Sequence, residues 1–121
     1  MAAFQTLDLD AALDRLGGDL DVLREVADLF LKETPKMMAA VEHALETGDA
    51  PALALAAHSL KGCVSTFGAR QAFEAARALE MAGRTANLGQ AGRDLIRLCS
   101  AIEALTPELS ALAGSATIDL A

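Results

Sequence analysis

From Leu20 to Ala44 one stripe of inward positions runs Leu20, Leu23, Ala27, Phe30, Thr34, Met37, Val41 and Ala44, all apolar except Thr34. The steps alternate between three and four residues, which keeps a single face of an α-helix in phase. Asp19 precedes the stripe as a candidate N-cap, directly after Gly17-Gly18. Pro35 falls inside it. Because the stripe holds its phase across Pro35, one kinked helix of about 28 residues, 19 to 46, is expected rather than two.

The same arithmetic divides the rest of the chain. A short helix over Asp8 to Leu16 stops at Gly17-Gly18, and Thr47-Gly48-Asp49 ends the second helix and caps a third, with Pro51 in its first turn. The third stripe is Leu53, Ala57, Leu60, Val64 and Phe67, with Gly68 as its stop. A fourth helix begins near Ala69, carries Ala72, Phe73, Ala76 and Leu79, and ends near Gly83. Asn87 is expected to cap the fifth, whose stripe is Leu95, Leu98, Cys99, Ile102 and Leu105. Thr106-Pro107 either kinks this helix or starts a last short one with Leu109 and Leu112. The final residues, GSATIDLA, have no periodicity, so 1–113 are expected to form one domain and 114–121 a flexible tail. Four amphipathic helices joined by short turns predict an all-α fold: an antiparallel up-down-up-down four-helix bundle with a short extra N-terminal helix. Each helix has one main stripe, all used by one core, so a monomer is expected.

Composition sharpens this picture. Ala supplies 27 of the 121 residues, and Trp and Tyr are absent, which favours helices. A net charge of −7 argues against a nucleic-acid partner, whose phosphates need a basic surface. Mean hydropathy lies above zero, but the excess is Ala, and no apolar run approaches the ~18 to 20 residues that span a bilayer. The start, MAAFQTLDLD, has neither a basic region nor an apolar signal core, so a cytoplasmic location is expected. The initial Met and loose tail point to a free-standing protein. Cys63 and Cys99 lie far apart without metal-ligand spacing and read as reduced thiols near the core.

The candidate chemistry sits in residues 56–69, AAHSLKGCVSTFGA. On a helical wheel His58 points roughly 140° from the third stripe, Leu55 about 160°, Gly62 about 180° and Ser65 about 120°, with Lys61 about 80° off on the flank. His58 therefore faces solvent, with Lys61 one turn away. A mid-helix Gly costs about 1 kcal/mol against Ala, so Gly62 needs a reason. Beside an exposed imidazole, a missing side chain makes room for an approaching group, and Leu55 adds an outward apolar patch that suggests docking. Imidazole is the side chain that is largely neutral yet nucleophilic at cellular pH, and it can attack phosphorus. A nearby Lys steadies the charge spread over the phosphoryl oxygens. His43 faces outward too, but its helical neighbours are Ala39, Ala40, Glu46 and Thr47, and it reads as a surface residue.

His58-x-Leu60-Lys61-Gly62 followed by Gly68-Ala69 resembles the signature of histidine-containing phosphotransfer (HPt) domains. The resemblance covers nearly the whole chain: RLGGDLDVLREVADLFLKETPKMMAAVEHALETGD is similar to the family's first two helices, and ALEMAGR to its Leu-Glu segment. It implies a phosphohistidine carrier in a two-component phosphorelay. His58 would accept a phosphoryl group on Nε2 from the phospho-aspartate of a receiver domain or hybrid histidine kinase and pass it on. Lys61 would hold the phosphoryl oxygens, and Glu80 would hydrogen-bond the imidazole. Leu55, Gly62 and Ser65 would meet the partner. No cofactor of its own is implied, since the receiver supplies magnesium. Cys63 stands where the family often has Ser or Ala, a compatible size. Folding back at residues 67–68 brings 77–80 level with His58, which agrees with a role for Glu80.

Arg70, Arg77 and Arg84 recur every seven residues and are read mainly as a solvated face paired with Glu74 and Glu80. No P-loop or kinase glycine loop occurs, so an ATP-dependent kinase is not expected. Sensor-kinase dimerisation segments usually place an acidic residue after their His, where this chain has Ser59. The rival reading is a helical-bundle adaptor without chemistry that binds a partner through Leu55 and His58. A metal-binding bundle lacks the Glu-x-x-His pairs it would need.

Overall fold

The computed structural model describes the backbone of residues 6–120 and the side chains of residues 6–114. Five helices follow in order: α1 (Leu9–Arg15), α2 (Leu20–Thr47), α3 (Ala50–Thr66), α4 (Arg70–Thr85) and α5 (Ala91–Leu120). There are no strands among the described residues. Local signals set most boundaries. Asp8, Asp19 and Asp49 each accept a hydrogen bond from the backbone N–H three residues on, capping α1, α2 and α3. Gly48 ends α2 in the left-handed conformation, at φ 68°. Pro35 lies inside an unbroken α2, next to Thr34, whose hydroxyl donates to the Phe30 carbonyl. The expected single second helix is thus observed, displaced by one residue at each end.

α3 packs on α2 and on α4, and α5 packs on both α4 and α2, so the four long helices close a ring of contacts; α1 touches α2. The core fills the middle of that ring. Leu23, Leu53, Leu60, Val64, Phe67, Leu79, Leu98, Leu105 and Leu109 are its large, fully buried members. They come from the predicted stripes, because covering such a face is where an amphipathic helix gains most of its stability. Leu20, in the first turn of α2, is exposed, and Met37, Phe73, Leu95 and Cys99 are half-buried. Pro107 lies within α5, which continues past it, so no separate last helix starts there.

Two boundary expectations are corrected. Gly83 does not end α4; the helix runs to Thr85 and closes on Ala86 in the left-handed conformation. Gly83 is buried instead, and a Cβ placed on it would lie 2.5 Å from Ala54 N and 2.7 Å from Ala50 O. Its lack of a side chain is what lets α4 approach the backbone of α3. Asn87 does not cap α5, which starts at Ala91; its side chain accepts from the Gly89 N–H within the connecting loop. The tail expected from residue 114 is drawn as the last turns of α5 as far as Leu120. Its side chains from 115 onward, and residue 121, lie outside the described residues.

One long-range tie has no counterpart in the periodicity. The Glu108 carboxylate of α5 accepts from the N–H and hydroxyl of Thr6 and the N–H of Leu7. The next residue, Asp8, donates its N–H to the Phe67 carbonyl at 2.9 Å. The segment before α1 is thereby strapped to the end of the bundle at the α3–α4 turn. Gly68, at φ 63°, accommodates both the turn and the strap, since a Cβ there would come 2.6 Å from Asp8 Cβ.

Candidate functional site

The third helix buries Leu53, Ala57, Leu60 and Val64 and turns the intervening positions outward. His58 is exposed, its side chain retaining 59% of its accessible surface. Leu55 is 71% exposed. Gly62 is exposed too, and a Cβ built on it would meet nothing within 4 Å. No packing contact therefore demands glycine at position 62, unlike at position 83.

α4 brings up the second half of the site. Glu80 is only 3% exposed. Its Oε2 lies 3.0 Å from Nδ1 of His58 and 2.6 Å from an Arg84 guanidinium nitrogen, and its Oε1 lies 2.7 Å from Nζ of Lys61. Burial alone would push this carboxyl up. The Lys61 hydrogen bond foremost, with those from His58 and Arg84, outweighs it and holds the Glu80 pKa down at about 2. Glu80 is therefore a carboxylate at neutral pH and can only accept. Nδ1 of the neutral ring must then carry its proton, and Nε2 is left with the lone pair.

Lys61 is half-buried, between Glu80 and the Phe73 ring, whose centroid lies 6.0 Å from Nζ. The ammonium thus rests on Glu80 rather than standing free beside the imidazole. Phe73 belongs to the fourth apolar stripe, and its contact with Lys61 is not visible in the sequence. Arg84 and Arg77 pair with Glu80 and Glu74 as expected, but the Arg84 pair belongs to the site. Met81, the residue after Glu80, is half exposed, which the apolar stripes do not predict. An outward hydrophobic residue following the Leu-Glu pair was the available signal.

Ser65 lies one turn along α3 from Lys61 and makes none of the Glu80 contacts. It is half-buried and lines an open recess of about 630 Å³ together with Asp8, Arg15, Gly68, Arg70 and Phe73. Cys63 is a free, half-buried thiol whose pKa is raised by burial, which disfavours the reactive thiolate. His43 is exposed, and no hydrogen bond to its ring appears among the described residues. Among those residues, no cluster of three or more His, Cys, Asp or Glu is gathered to hold a metal ion, and no helix is long and apolar enough to cross a membrane.

A family model described as the Hpt domain matches residues 25–115. The crystal structure of histidine-containing phosphotransfer protein B (HptB) from Pseudomonas aeruginosa PAO1 superposes with a TM-score of 0.84. At 23% sequence identity, the match covers 94% of this chain and 98% of that one, a likeness of fold. No curated protein sequence matches significantly.

Proposed function

The chain belongs to the Hpt-domain family and is a histidine phosphotransfer protein of phosphorelays, and from that premise we propose that His58 is its phosphoacceptor. The observation that carries this reading is the pairing of His58 Nδ1 with a buried carboxylate, which leaves Nε2 as the unpaired nitrogen of an exposed ring, one helical turn from the open surface at Gly62. In the forward step the Nε2 lone pair forms a bond to phosphorus as the aspartyl O–P bond breaks. The electron pair of that bond stays with the receiver's Asp carboxylate. The Nδ1 proton remains on the ring, hydrogen-bonded to Glu80 Oε2, whose negative charge offsets the positive character the ring acquires. Lys61 stabilises the phosphoryl oxygens from the flank.

The partners are receiver domains, a hybrid histidine kinase, or both. Leu55 on α3 and Met81 on α4, both exposed, and the open surface at Gly62 form the docking face. Ser65 lies at its margin. Magnesium comes with the receiver. We read the four long helices as an antiparallel up-down-up-down bundle with α1 as the extra helix, supported by their ring of contacts and short loops. On the same reading the protein is a cytoplasmic monomer, residues 1–113 forming the working domain.

The test is transfer of label from a phosphorylated receiver domain. The chain should gain an acid-labile phosphoryl group that disappears in His58→Gln and persists in His43→Gln. Label retained by His58→Gln would overturn the assignment. An adaptor would bind the receiver and take no label at all.

A further inference from the structure

Glu80 holds two permanent cations and one imidazole with two oxygens. Lys61 occupies Oε1, while Arg84 and His58 share Oε2. The two cations reach it differently. Lys61 comes across the interface from α3, while Arg84 sits one turn along α4 from Glu80 itself, in an i,i+4 pair independent of α3. Arg84 is also the more exposed, at 60% against 25% for Lys61.

This arrangement contains a conflict. An ammonium that already donates to Oε1 at 2.7 Å is drawn off the carboxylate as it takes up phosphoryl oxygens. Leaving a buried carboxylate without its cation is costly, because the lost water is not replaced. With Lys61 as the sole counter-ion, Glu80 would compete with the phosphoryl group for it.

Resting on the phosphotransfer reading, we propose that Arg84 is a positioning residue that releases Lys61: by holding Glu80 Oε2 it keeps the carboxylate paired while the Lys61 ammonium moves from Oε1 to the phosphoryl oxygens. The guanidinium suits this task. It is always charged, and its planar fork stays on the carboxylate as the ring on the same oxygen gains positive character. In this role Arg84 holds the Glu80 carboxylate and bonds neither Nε2 nor the phosphoryl group. It acts through Glu80 and Lys61.

The experiment is a double-mutant cycle in the full-length chain. Rates of transfer from a phosphorylated receiver domain are compared for wild type, Arg84→Gln, Arg84→Lys, Glu80→Gln and the Arg84→Gln/Glu80→Gln double variant, with thermal melts in parallel. Arg84→Gln should slow transfer about tenfold, the scale of one charge-assisted hydrogen bond, and should melt close to wild type, because with no phosphoryl group bound Glu80 keeps Lys61 as its counter-ion. Arg84→Lys should recover most of the rate. In the Glu80→Gln background, where no carboxylate competes for Lys61, the same Arg84→Gln change should cost less than about twofold. An equal slowing in both backgrounds would show that Arg84 binds the phosphoryl group directly and would overturn the proposal. So would wild-type transfer by Arg84→Gln. If the wild-type chain takes no label, the phosphotransfer reading itself falls, and the proposal with it.

Discussion

Gly62 and His58 show how a residue's meaning depends on what surrounds it. His58 and His43 both face away from the core, yet only His58 meets a carboxylate from another helix. That contact orients the ring and selects which nitrogen is nucleophilic. Gly62 has open space where a side chain would be, so its glycine costs helix stability without any packing return. Access is the remaining reason. Gly62→Ala should therefore raise stability by up to about 1 kcal/mol, since Ala loses less backbone entropy in a helix. It should also slow transfer, because the receiver must bring its aspartyl phosphate within about 3 Å of Nε2. Gly62→Gln should fold normally and transfer far more slowly. Thermal melting paired with a transfer time course checks both. A Gly62→Gln variant that transfers at the wild-type rate would remove the access explanation.

At the scale of elements, α3 and α4 form the pair that matters, because each contributes half of the site. Their close approach depends on Gly83, where a Cβ would run into backbone atoms of Ala50 and Ala54. Those atoms cannot rotate away like the end of a flexible side chain. Gly83→Ala should accordingly destabilise the protein by about 1–3 kcal/mol, overpacking outweighing the gain in helix propensity. The sign is opposite to that for Gly62→Ala, although both glycines lie inside helices and the substitution is identical. Urea denaturation of the two variants side by side is the measurement. Equal stabilisation of both would show that the α3–α4 contact yields without cost. Helix periodicity could not distinguish these glycines. It places the end of α4 near Gly83, since a Gly after an apolar stripe ordinarily ends a helix, and the contact that keeps Gly83 inside the helix comes from residues about thirty positions away.

For the whole molecule, the Glu80 cluster is also a clasp between helices, and its ionisation is linked to folding. The carboxyl pKa is about 2 in the folded chain, against an ordinary value of 4.5. Between those values the unfolded chain binds more protons, so stability rises with pH across the window. The contribution is fully present above pH 4.5 and is lost as pH falls through the folded value near 2. Glu80→Gln should flatten that part of the stability curve, the two proteins differing most above pH 4.5 and converging toward pH 2. Parallel curves for the two across this window, measured by denaturation at each pH, would show that Glu80 is not held down by its partners.

Helix number, phase and most caps were legible in the chain because they are local: an Asp at an N-cap and apolar steps of three and four act within a few residues. The site was legible as far as α3 carries it. His58, Lys61, Gly62 and Leu55 lie within two turns of one helix, so their faces follow from the wheel. Resemblance named Glu80, and chain reversal put it level with His58, but nothing local could bury it. Whether a flank carboxylate is solvated, or closed over and shared by Lys61, His58 and Arg84, is decided by how near two helices come. That distance is set by Ala and Gly side chains on both of them, above all by the missing one at Gly83. The strap from Thr6 to Glu108 is likewise a contact between distant residues, and no local pattern specifies it. Amphipathic spacing determined which faces turn inward; only packing determined which polar groups the closing helices would enclose together, because desolvation and charge pairing arise only between surfaces that meet.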